Sequence, residues 1–316
     1  MIIYAVNIHT GGGKILLDEI IQNKTFGNVT AAFLDERYQL PDAVDFPIFT
    51  AKSKILGRIQ SEFKLHRFLK YNPTNKDDIL FFGNIPPFFK PKARSYLYLQ
   101  NCFLTRQVPL PKDSFKEKLR NWIESILLKV FSRNTDEIWV QTPWMQKLTQ
   151  KYLPKALVQL KPFLPQMPAL ERGPMLYDFV FVGSLALNKR LSFFLATLSQ
   201  LDLKLRREIK VFIALDQALQ NVAIPEFKSI QVECRTNVSR DELFKIYATS
   251  KAFVTTSLYE SFCLPLHEAH NYHCEIIAPR AGYTEDLGFK VRLFQRESVI
   301  DLAQILLTSP LKSDSI

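Results

Sequence analysis

Short apolar segments alternate with amphipathic helical segments along the whole 316-residue chain, and this alternation restricts the possible folds. Residues 2–8 (IIYAVNI) and 177–184 (YDFVFVGS) are largely apolar, as expected of strands that are buried on both faces of a parallel sheet. A helical segment follows each of them. Repeated strand–helix units of this kind predict an α/β fold built from doubly wound sheets.

A proline-rich segment interrupts the alternation near the middle of the chain. Residues 161–174 contain four prolines, a density that neither a helix nor a central strand tolerates. We therefore predict an interdomain linker at about 161–174. It separates one doubly wound α/β domain over residues 1–164 from a second over residues 175–316.

The two halves of the chain differ in charge. Residues 1–168 contain 24 lysines and arginines against 14 aspartates and glutamates, whereas residues 169–316 contain 17 of each. The net charge of +10 therefore lies in the first half, which favours an anionic partner such as a lipid headgroup or a phosphorylated substrate. A chance imbalance is the alternative. No nucleic-acid-binding motif accompanies the charge, so we expect no nucleic-acid partner.

The chain has the features of a cytoplasmic protein. It has no apolar run of about 18 residues that could span a membrane, and its N-terminus lacks the basic and cleavage regions of a signal peptide. The four cysteines, at positions 102, 234, 263 and 274, are irregularly spaced, which fits buried free thiols in a reducing compartment.

A long amphipathic helix is predicted over residues 113–133. Two interpretations of its apolar face are open, namely a helix that covers the sheet and a helix that lies on a membrane, and we favour the first. The apolar face comprises Phe115, Leu119, Trp122, Ile123, Ile126 and Val130.

Residues 258–279 (LYESFCLPLHEAHNYHCEIIAP) concentrate histidines and cysteines, which raises the question of a metal site. His267, His270 and His273 are spaced i, i+3, i+6, so on a helix the outer pair lie about 9 Å apart along the axis. The zinc-protease helix instead needs two histidines at i, i+4. We therefore expect no metal site here.

The two glutamates of the same segment are predicted to lie in different elements. Pro265 cannot lie inside a helix that contains Glu260, so Glu260 belongs to the loop after a strand and Glu268 to the first turn of the following helix. Open α/β sheets bind ligands at such strand–loop–helix edges. There a carboxylate can accept two hydrogen bonds from a ribose diol. The alternative is a pair of exposed glutamates near a helix start.

Residues 259–269 (YESFCLPLHEA) resemble the E-S-F-G-L-P-x-x-E-A motif of the retaining family 4 glycosyltransferases, also called glycosyl transferases group 1. Weaker similarities extend over most of the chain. Residues 181–191 (FVGSLALNKRL) are similar to the family's pyrophosphate-binding turn, and residues 9–17 (HTGGGKILL) to its N-terminal Gly-rich loop. YLQN and VQTPWMQKL, which begin at residues 98 and 140, resemble bacterial members that build surface polysaccharides.

The resemblance implies a GT-B fold, in which an N-terminal Rossmann-like acceptor domain and a C-terminal Rossmann-like donor domain face each other across a cleft. It implies that Glu260 contacts the transferred sugar and that Lys189 and Arg190 neutralise the leaving nucleotide. Asn101 is a candidate contact to the acceptor or the sugar. The implied donor-binding residues are Gly12, Gly13, Gly183, Ser184, Phe262, Cys263, Leu264 and Glu268.

The implied activity is a retaining, metal-independent transfer of a hexose from a UDP- or GDP-sugar, with no cofactor. The acceptor would be a glycan or lipid-linked molecule in the assembly of lipopolysaccharide, O-antigen or capsule. The basic first half would then contact the anionic inner membrane peripherally, from the cytoplasmic side.

Two departures from the family pattern keep other functions open. Cys263 stands where the motif has glycine, so positive φ there would be strained, and Ser184 stands where an arginine often follows the strand. A non-catalytic subunit that binds a nucleotide sugar or a partner enzyme is therefore one alternative. A sugar-nucleotide epimerase, which shares the two-domain architecture, is the other.

Overall fold

A computed structural model describes residues 1–52, 55–72, 77–110, 115–216 and 223–309. These residues form two compact units, one ending at Gln166 and the other beginning at Met167. Residues 161–176 contain no helix or strand. Each unit is an α/β unit with its own parallel sheet. The acceptor and donor roles of the two predicted domains stay predictions.

The N-terminal unit contains a seven-stranded sheet in the order β3-β2-β1-β4-β5-β6-β7, with every neighbouring pair parallel. Its strands are β1 (Ile2–Ala5), β2 (Ala31–Asp35), β3 (Ile48–Ala51), β4 (Ile79–Phe82), β5 (Ser95–Tyr98), β6 (Glu137–Val140) and β7 (Val158–Leu160). The side chains of β1, β2 and β4 are all buried, which is why these strands are apolar without alternation, except for the buried Asp35 at the end of β2.

Four α-helices of this unit are described: α1 (Gly11–Asn23), α2 (Ile55–Tyr71), α3 (Phe115–Phe131) and α4 (Pro143–Tyr152). The start of α4 is specified locally. Thr142 Oγ1 accepts a hydrogen bond from the Met145 N–H at 3.1 Å, and Pro143 needs no partner at the first helical position.

The C-terminal unit contains a six-stranded parallel sheet in the order β10-β9-β8-β11-β12-β13. Its strands are β8 (Tyr177–Gly183), β9 (Ile209–Leu215), β10 (Ile230–Thr236), β11 (Ser250–Val254), β12 (Glu275–Pro279) and β13 (Val291–Phe294). Its described helices are α5 (Leu191–Asp202), α6 (Arg240–Ala248), α7 (Leu264–Asn271), α8 (Gly282–Glu285) and α9 (Val299–Thr308). Phe179 and Phe181 of β8 and Phe194 of α5 belong to its buried core.

Strand order reverses once in each sheet. In the C-terminal unit the chain runs outward from β8 to β10, then returns to place β11 on the other side of β8. The loops that follow β8 and β11 therefore leave the same edge of the sheet in opposite directions. A crevice opens at such a switch point, and ligands of doubly wound sheets bind there.

Helix α3 exposes the apolar face that the sequence predicts to be buried. Phe115 is 82% exposed, and Leu119, Trp122, Ile123 and Val130 are also exposed. The expectation that this face covers the sheet is therefore wrong.

The buried face of α3 is held by polar contacts as well as apolar ones. Asn121 Oδ1 accepts a hydrogen bond from Asn101 Nδ2 at 3.3 Å, and Ser125 Oγ lies 2.8 Å from the Tyr152 hydroxyl. Leu128, on the same face of the helix, is fully buried. Hydrogen bonds therefore hold the polar face of α3 against the unit, and the apolar face that the sequence periodicity identifies is the exposed one.

No helix in the described ranges is both long enough and apolar enough to cross a membrane.

The orientation of α3 predicts different effects for two large-to-small substitutions. Leu128→Ala should lower the free energy of unfolding by about 2–5 kcal/mol, because it leaves a cavity under the helix. Trp122→Ala should change it by less than about 0.5 kcal/mol, because the side chain is exposed. Urea unfolding of both variants measures the difference. A larger loss for Trp122→Ala than for Leu128→Ala would restore the packing predicted from sequence.

Candidate functional site

Lys189 and Glu260 form an ion pair at the switch point of the C-terminal sheet. Lys189 follows β8 and Glu260 follows β11, and the Lys189 Nζ donates to Glu260 Oε1 at 2.5 Å. The two side chains are 26% and 15% exposed, so the pair is sheltered but reachable from solvent. Residues 71 positions apart in the sequence thus meet at the place where such sheets bind ligands.

Hydrogen bonds between the two loops hold this pair in position. The Asn188 side chain donates to the Tyr259 carbonyl at 2.7 Å and accepts from the Tyr259 N–H at 3.2 Å. Thr256 Oγ1 donates to the Lys189 carbonyl at 2.7 Å. Asn188 and Thr256 were not among the predicted site residues, because their partners lie far away in the sequence.

The Lys189 ammonium keeps its proton in this environment. Burial alone would lower the pKa of Lys189, but the charge and hydrogen bond of Glu260 outweigh it, so the pKa lies above its ordinary value. Lys189 is therefore a fixed positive charge at neutral pH and can stabilise an anion without transferring a proton.

Glu268 lies on α7 and forms an ion pair with Arg240, which the sequence analysis does not predict as a site residue. Arg240 Nε, at the start of α6, donates to Glu268 Oε1 at 3.0 Å. Glu268 is buried, and this burial raises its pKa although the charge of Arg240 acts in the opposite direction. The alternative of an exposed glutamate is wrong for Glu268. The structure also places it in the second turn of α7, beyond the predicted first turn.

The start of α7 is a sharp backbone turn at Cys263. Cys263 has φ 60° and ψ 64°, in the left-handed region, where the resembled motif has glycine. Burial raises the pKa of its thiol to about 12, so the sulfur is a neutral group. The Leu266 N–H bonds back to the Cys263 carbonyl at 3.0 Å.

Helix α7 begins at Leu264, whose backbone N–H has no acceptor within the helix. Pro265 has no N–H, and the Leu266 N–H is already bonded to Cys263. The helix start therefore offers the Leu264 N–H as a main-chain donor, which suits a sugar or phosphate oxygen.

Arg190 lies next to Lys189 in the sequence but is engaged elsewhere. Its guanidinium donates to the Arg296 carbonyl at 2.5 Å and to Glu297 Oε2 at 3.0 Å, and it lies over the Phe193 ring. The structure thus brings Lys189 and Glu260 together and turns Arg190 toward the segment before α9.

The glycine turn after β8 is tightly packed. A Cβ added to Gly183 would lie 2.9 Å from Cε1 of Phe181, so a side chain there would require the ring to move. Ser184 Oγ accepts a hydrogen bond from the Ala186 N–H at 3.3 Å, which shapes the turn that leads to Lys189.

His267 and His270 of α7 pack against aromatic rings, and both contact Phe289. His267 stacks on Phe262 with ring centroids 4.2 Å apart, and burial lowers its pKa to about 4. His270 stacks on Phe289 at 3.8 Å. In the parts of the chain that the structure describes, no three His, Cys, Asp or Glu side chains group as a metal site would require.

The predicted residues of the N-terminal unit lie at the carboxyl edge of its sheet. Gly12 and Gly13 form the first turn of α1, and a Cβ on Gly13 would lie 3.3 Å from Gln100 Oε1. Asn101 accepts a hydrogen bond from the Phe103 N–H at 3.0 Å and donates to Asn121. Its side chain therefore has a structural task, and its proposed contact with a ligand stays a prediction.

A known family model matches the part of the chain that holds this site. The model of the family described as glycosyl transferases group 1 matches residues 146–287, a segment that contains Lys189, Glu260 and Glu268. This segment is similar to the glycosyl transferases group 1. No curated protein matches the chain in sequence.

Solved glycosyltransferase structures share the fold at low sequence identity. A sucrose-phosphate synthase from Thermosynechococcus elongatus is 14% identical, with a TM-score of 0.68 over 98% of this chain and 90% of that one. The lipopolysaccharide outer core galactosyltransferase WaaB is 12% identical, with a TM-score of 0.64 over 98% and 90%. These likenesses establish the GT-B fold predicted for the chain.

Another solved structure is longer than this chain. A point mutant of TarM from S. aureus, in complex with Fondaparinux, alpha-GlcNAc-glycerol and UDP, is 13% identical, with a TM-score of 0.57 over 76% of this chain. The chain spans half the length of that protein.

The Arg240–Glu268 pair predicts a pH-dependent loss of stability when its cation is removed. Arg240→Met should lower the free energy of unfolding at pH 8 by about 2 kcal/mol, because a buried carboxylate loses its partner. Since the pKa of Glu268 is raised in the folded protein, stability should return as the pH falls through that raised value toward 4.5.

Urea unfolding at pH 8 and pH 5 measures this effect. The Arg240→Met/Glu268→Gln double variant should lose the pH dependence. Arg235→Met is the matched control, because its partners Glu233 and Glu242 are accessible to solvent, and it should change stability by less than about 1 kcal/mol. An equal loss for Arg240→Met at both pH values would contradict the assigned pair.

Proposed function

We propose that the protein transfers a hexose from a UDP- or GDP-sugar to a glycan or lipid-linked acceptor, with retention of configuration and without a metal. The observation that carries the proposal is the Lys189–Glu260 pair at the switch point of the C-terminal sheet, in the same loop–helix segment as the buried Glu268. A fixed cation, a sheltered carboxylate and a helix N-terminus are the groups that a nucleotide-sugar donor requires.

Glu268 is suited to the ribose of the donor. Arg240 donates to Oε1, and among the described residues no donor reaches Oε2. A carboxylate with a free oxygen can accept a hydrogen bond from a ribose hydroxyl, and displacement of Arg240 would allow the bidentate contact to the diol. Burial strengthens such bonds because water cannot compete for the carboxylate.

Lys189 is suited to the leaving diphosphate. Glycosyl transfer develops negative charge on the oxygen that departs with the nucleotide, and a preorganised cation stabilises that charge. In the structure Glu260 balances the ammonium. A bound diphosphate would share Lys189, which would leave Glu260 directed at the hydroxyls of the transferred sugar. Lys189 would thus supply positive charge that a metal provides in other enzymes.

Retention follows if the acceptor attacks from the face that the nucleotide leaves. The glycosidic C–O bond to the diphosphate breaks as the acceptor oxygen forms the new bond, and the acceptor proton passes to the departing phosphate oxygen. Such a mechanism needs no protein nucleophile. Glu260 would orient the sugar in it and would form no covalent bond.

The acceptor is proposed from the charge of the N-terminal half. Residues 1–168 contain 24 basic and 14 acidic residues. This positive charge fits a phosphorylated or membrane-bound acceptor, as in lipopolysaccharide, O-antigen or capsule assembly. The likeness to a lipopolysaccharide galactosyltransferase and to TarM, which was solved with alpha-GlcNAc-glycerol, supports this class of acceptor. We propose peripheral contact with an anionic membrane from the cytoplasmic side.

Cys263 favours one second candidate, a subunit that binds a nucleotide sugar without turnover. Its positive φ places a residue with a side chain in a backbone conformation that glycine adopts more easily. The buried thiol also occupies space beside the loop that would contact the donor sugar. Donor binding without nucleotide release would favour this candidate over the transferase.

A panel of UDP- and GDP-sugars tests the proposal. At least one donor should raise the melting temperature and, with an acceptor, release nucleotide. Lys189→Met and Glu268→Gln should each lower nucleotide release at least about 100-fold, equivalent to roughly 2.7 kcal/mol of transition-state stabilisation. Lys228→Met and Glu208→Gln, exposed positions of the same unit, are the matched controls. Release that is unaffected by the two site variants would refute the assignment.

A further inference from the structure

Helix α3 carries an apolar stripe that the described residues leave exposed. We define the stripe as Phe115, Leu119, Trp122, Ile123 and Val130, all exposed. At 100° per residue these positions span an arc about 100° wide, which is the width of an apolar face that normally packs into a core. The 17-residue helix is about 25 Å long, so the stripe is an extended surface.

The same helix is attached to its unit by the other side. Asn121, Ser125 and Leu128 are the buried residues of α3, and they project roughly 110° to 170° from the centre of the stripe. Polar residues on the buried side of a helix and large apolar residues on its exposed side are typical of an interaction surface.

Lysines border the stripe on both sides. Lys116 lies along one edge of it, and Lys118 and Lys129 lie along the other, all three exposed. The acidic residue Glu124 lies on the far side of the helix, where Arg120 is 4.0 Å away. An apolar stripe between two rows of cations is the pattern of helices that lie in the interface of an anionic membrane.

We propose that the α3 stripe docks in the plane of an anionic lipid bilayer. The aromatic rings of Phe115 and Trp122 would enter the headgroup region, where amphipathic rings are favoured, and the bordering lysines would contact lipid phosphates. This inference rests on the membrane contact proposed above and assigns it to one helix.

Charge favours a bilayer over a second copy of the chain as the occupant. In a symmetric dimer built on the stripe, each lysine row would face a lysine row of the other copy. Like charges across an interface disfavour association, whereas anionic headgroups neutralise them. A dimer in solution is the alternative that the test must detect.

Cosedimentation with vesicles tests the docking face. The full chain should bind phosphatidylcholine vesicles that contain phosphatidylglycerol, and bind vesicles of phosphatidylcholine alone at least about tenfold more weakly. Phe115→Ser/Trp122→Ser should weaken binding to the anionic vesicles at least about tenfold, because two large apolar side chains no longer partition. Leu203→Ser/Ile300→Ser is the matched control, since these residues of the other unit are 77% and 67% exposed.

Charge variants separate the two contributions. Lys116→Gln/Lys118→Gln/Lys129→Gln should weaken binding to the anionic vesicles and leave binding to phosphatidylcholine unchanged. Lys204→Gln/Lys210→Gln/Lys228→Gln, with three exposed lysines of the C-terminal unit, should bind as the unmodified chain does.

Tryptophan fluorescence locates the inserted residue. Of the three tryptophans, Trp139 is buried and Trp144 is half-buried, so a blue shift on vesicle binding should come from Trp122. Trp122→Phe should keep the affinity and lose the shift. A shift that persists in Trp122→Phe would contradict insertion of the stripe.

Two results would overturn the inference. One is vesicle binding that is equal for Phe115→Ser/Trp122→Ser and the unmodified chain. The other is light scattering that shows a dimer which this double variant dissolves. Lys189→Met should bind vesicles normally while it loses nucleotide release, so a failure of docking and a failure of the proposed transferase chemistry give different results.

Discussion

The parallel pairing of β8 with β11 is the constraint on which the candidate site depends. Phe179 pairs with Ala252 and Phe181 with Val254, so the two strands end side by side although about 70 residues separate them. The loops that follow the two strands therefore lie next to each other at the same edge of the sheet. Asn188 and Thr256 connect these loops, and Lys189 and Glu260 are held at hydrogen-bond distance as a result. The apolar strands thereby position a charged pair that neither loop could hold alone.

Buried charge is the second theme of the site. Glu268 is buried and Lys189 is half-buried, and each has one charged partner. Such pairs contribute little net stability, because desolvation offsets the attraction. Their value is preorganisation, since charges that are desolvated in advance act strongly on a ligand that enters the crevice. A ligand that replaces Arg240 beside Glu268, or Glu260 beside Lys189, would give the buried charge a new partner.

Much of the fold and the central residues of the site could be predicted from sequence. Apolar runs identify the buried parallel strands, and Pro265 alone separates Glu260 from the helix that holds Glu268. Three features could not be predicted, each for a physical reason. Arg240 and Asn188 contact partners that are distant in the sequence. Strand β7 has three residues, too few for a periodic pattern. Helix α3 exposes its apolar face because hydrogen bonds hold its polar face against the unit.

Hydrogen exchange with and without a donor that supports turnover tests most directly whether the nucleotide sugar binds at the β8–β11 switch point. Saturating donor should slow exchange of the backbone amides in residues 183–190 and 256–264, and Glu268→Gln should lose this protection at the same donor concentration. Turnover without protection in either loop, or protection confined to the N-terminal unit, would contradict the site described here.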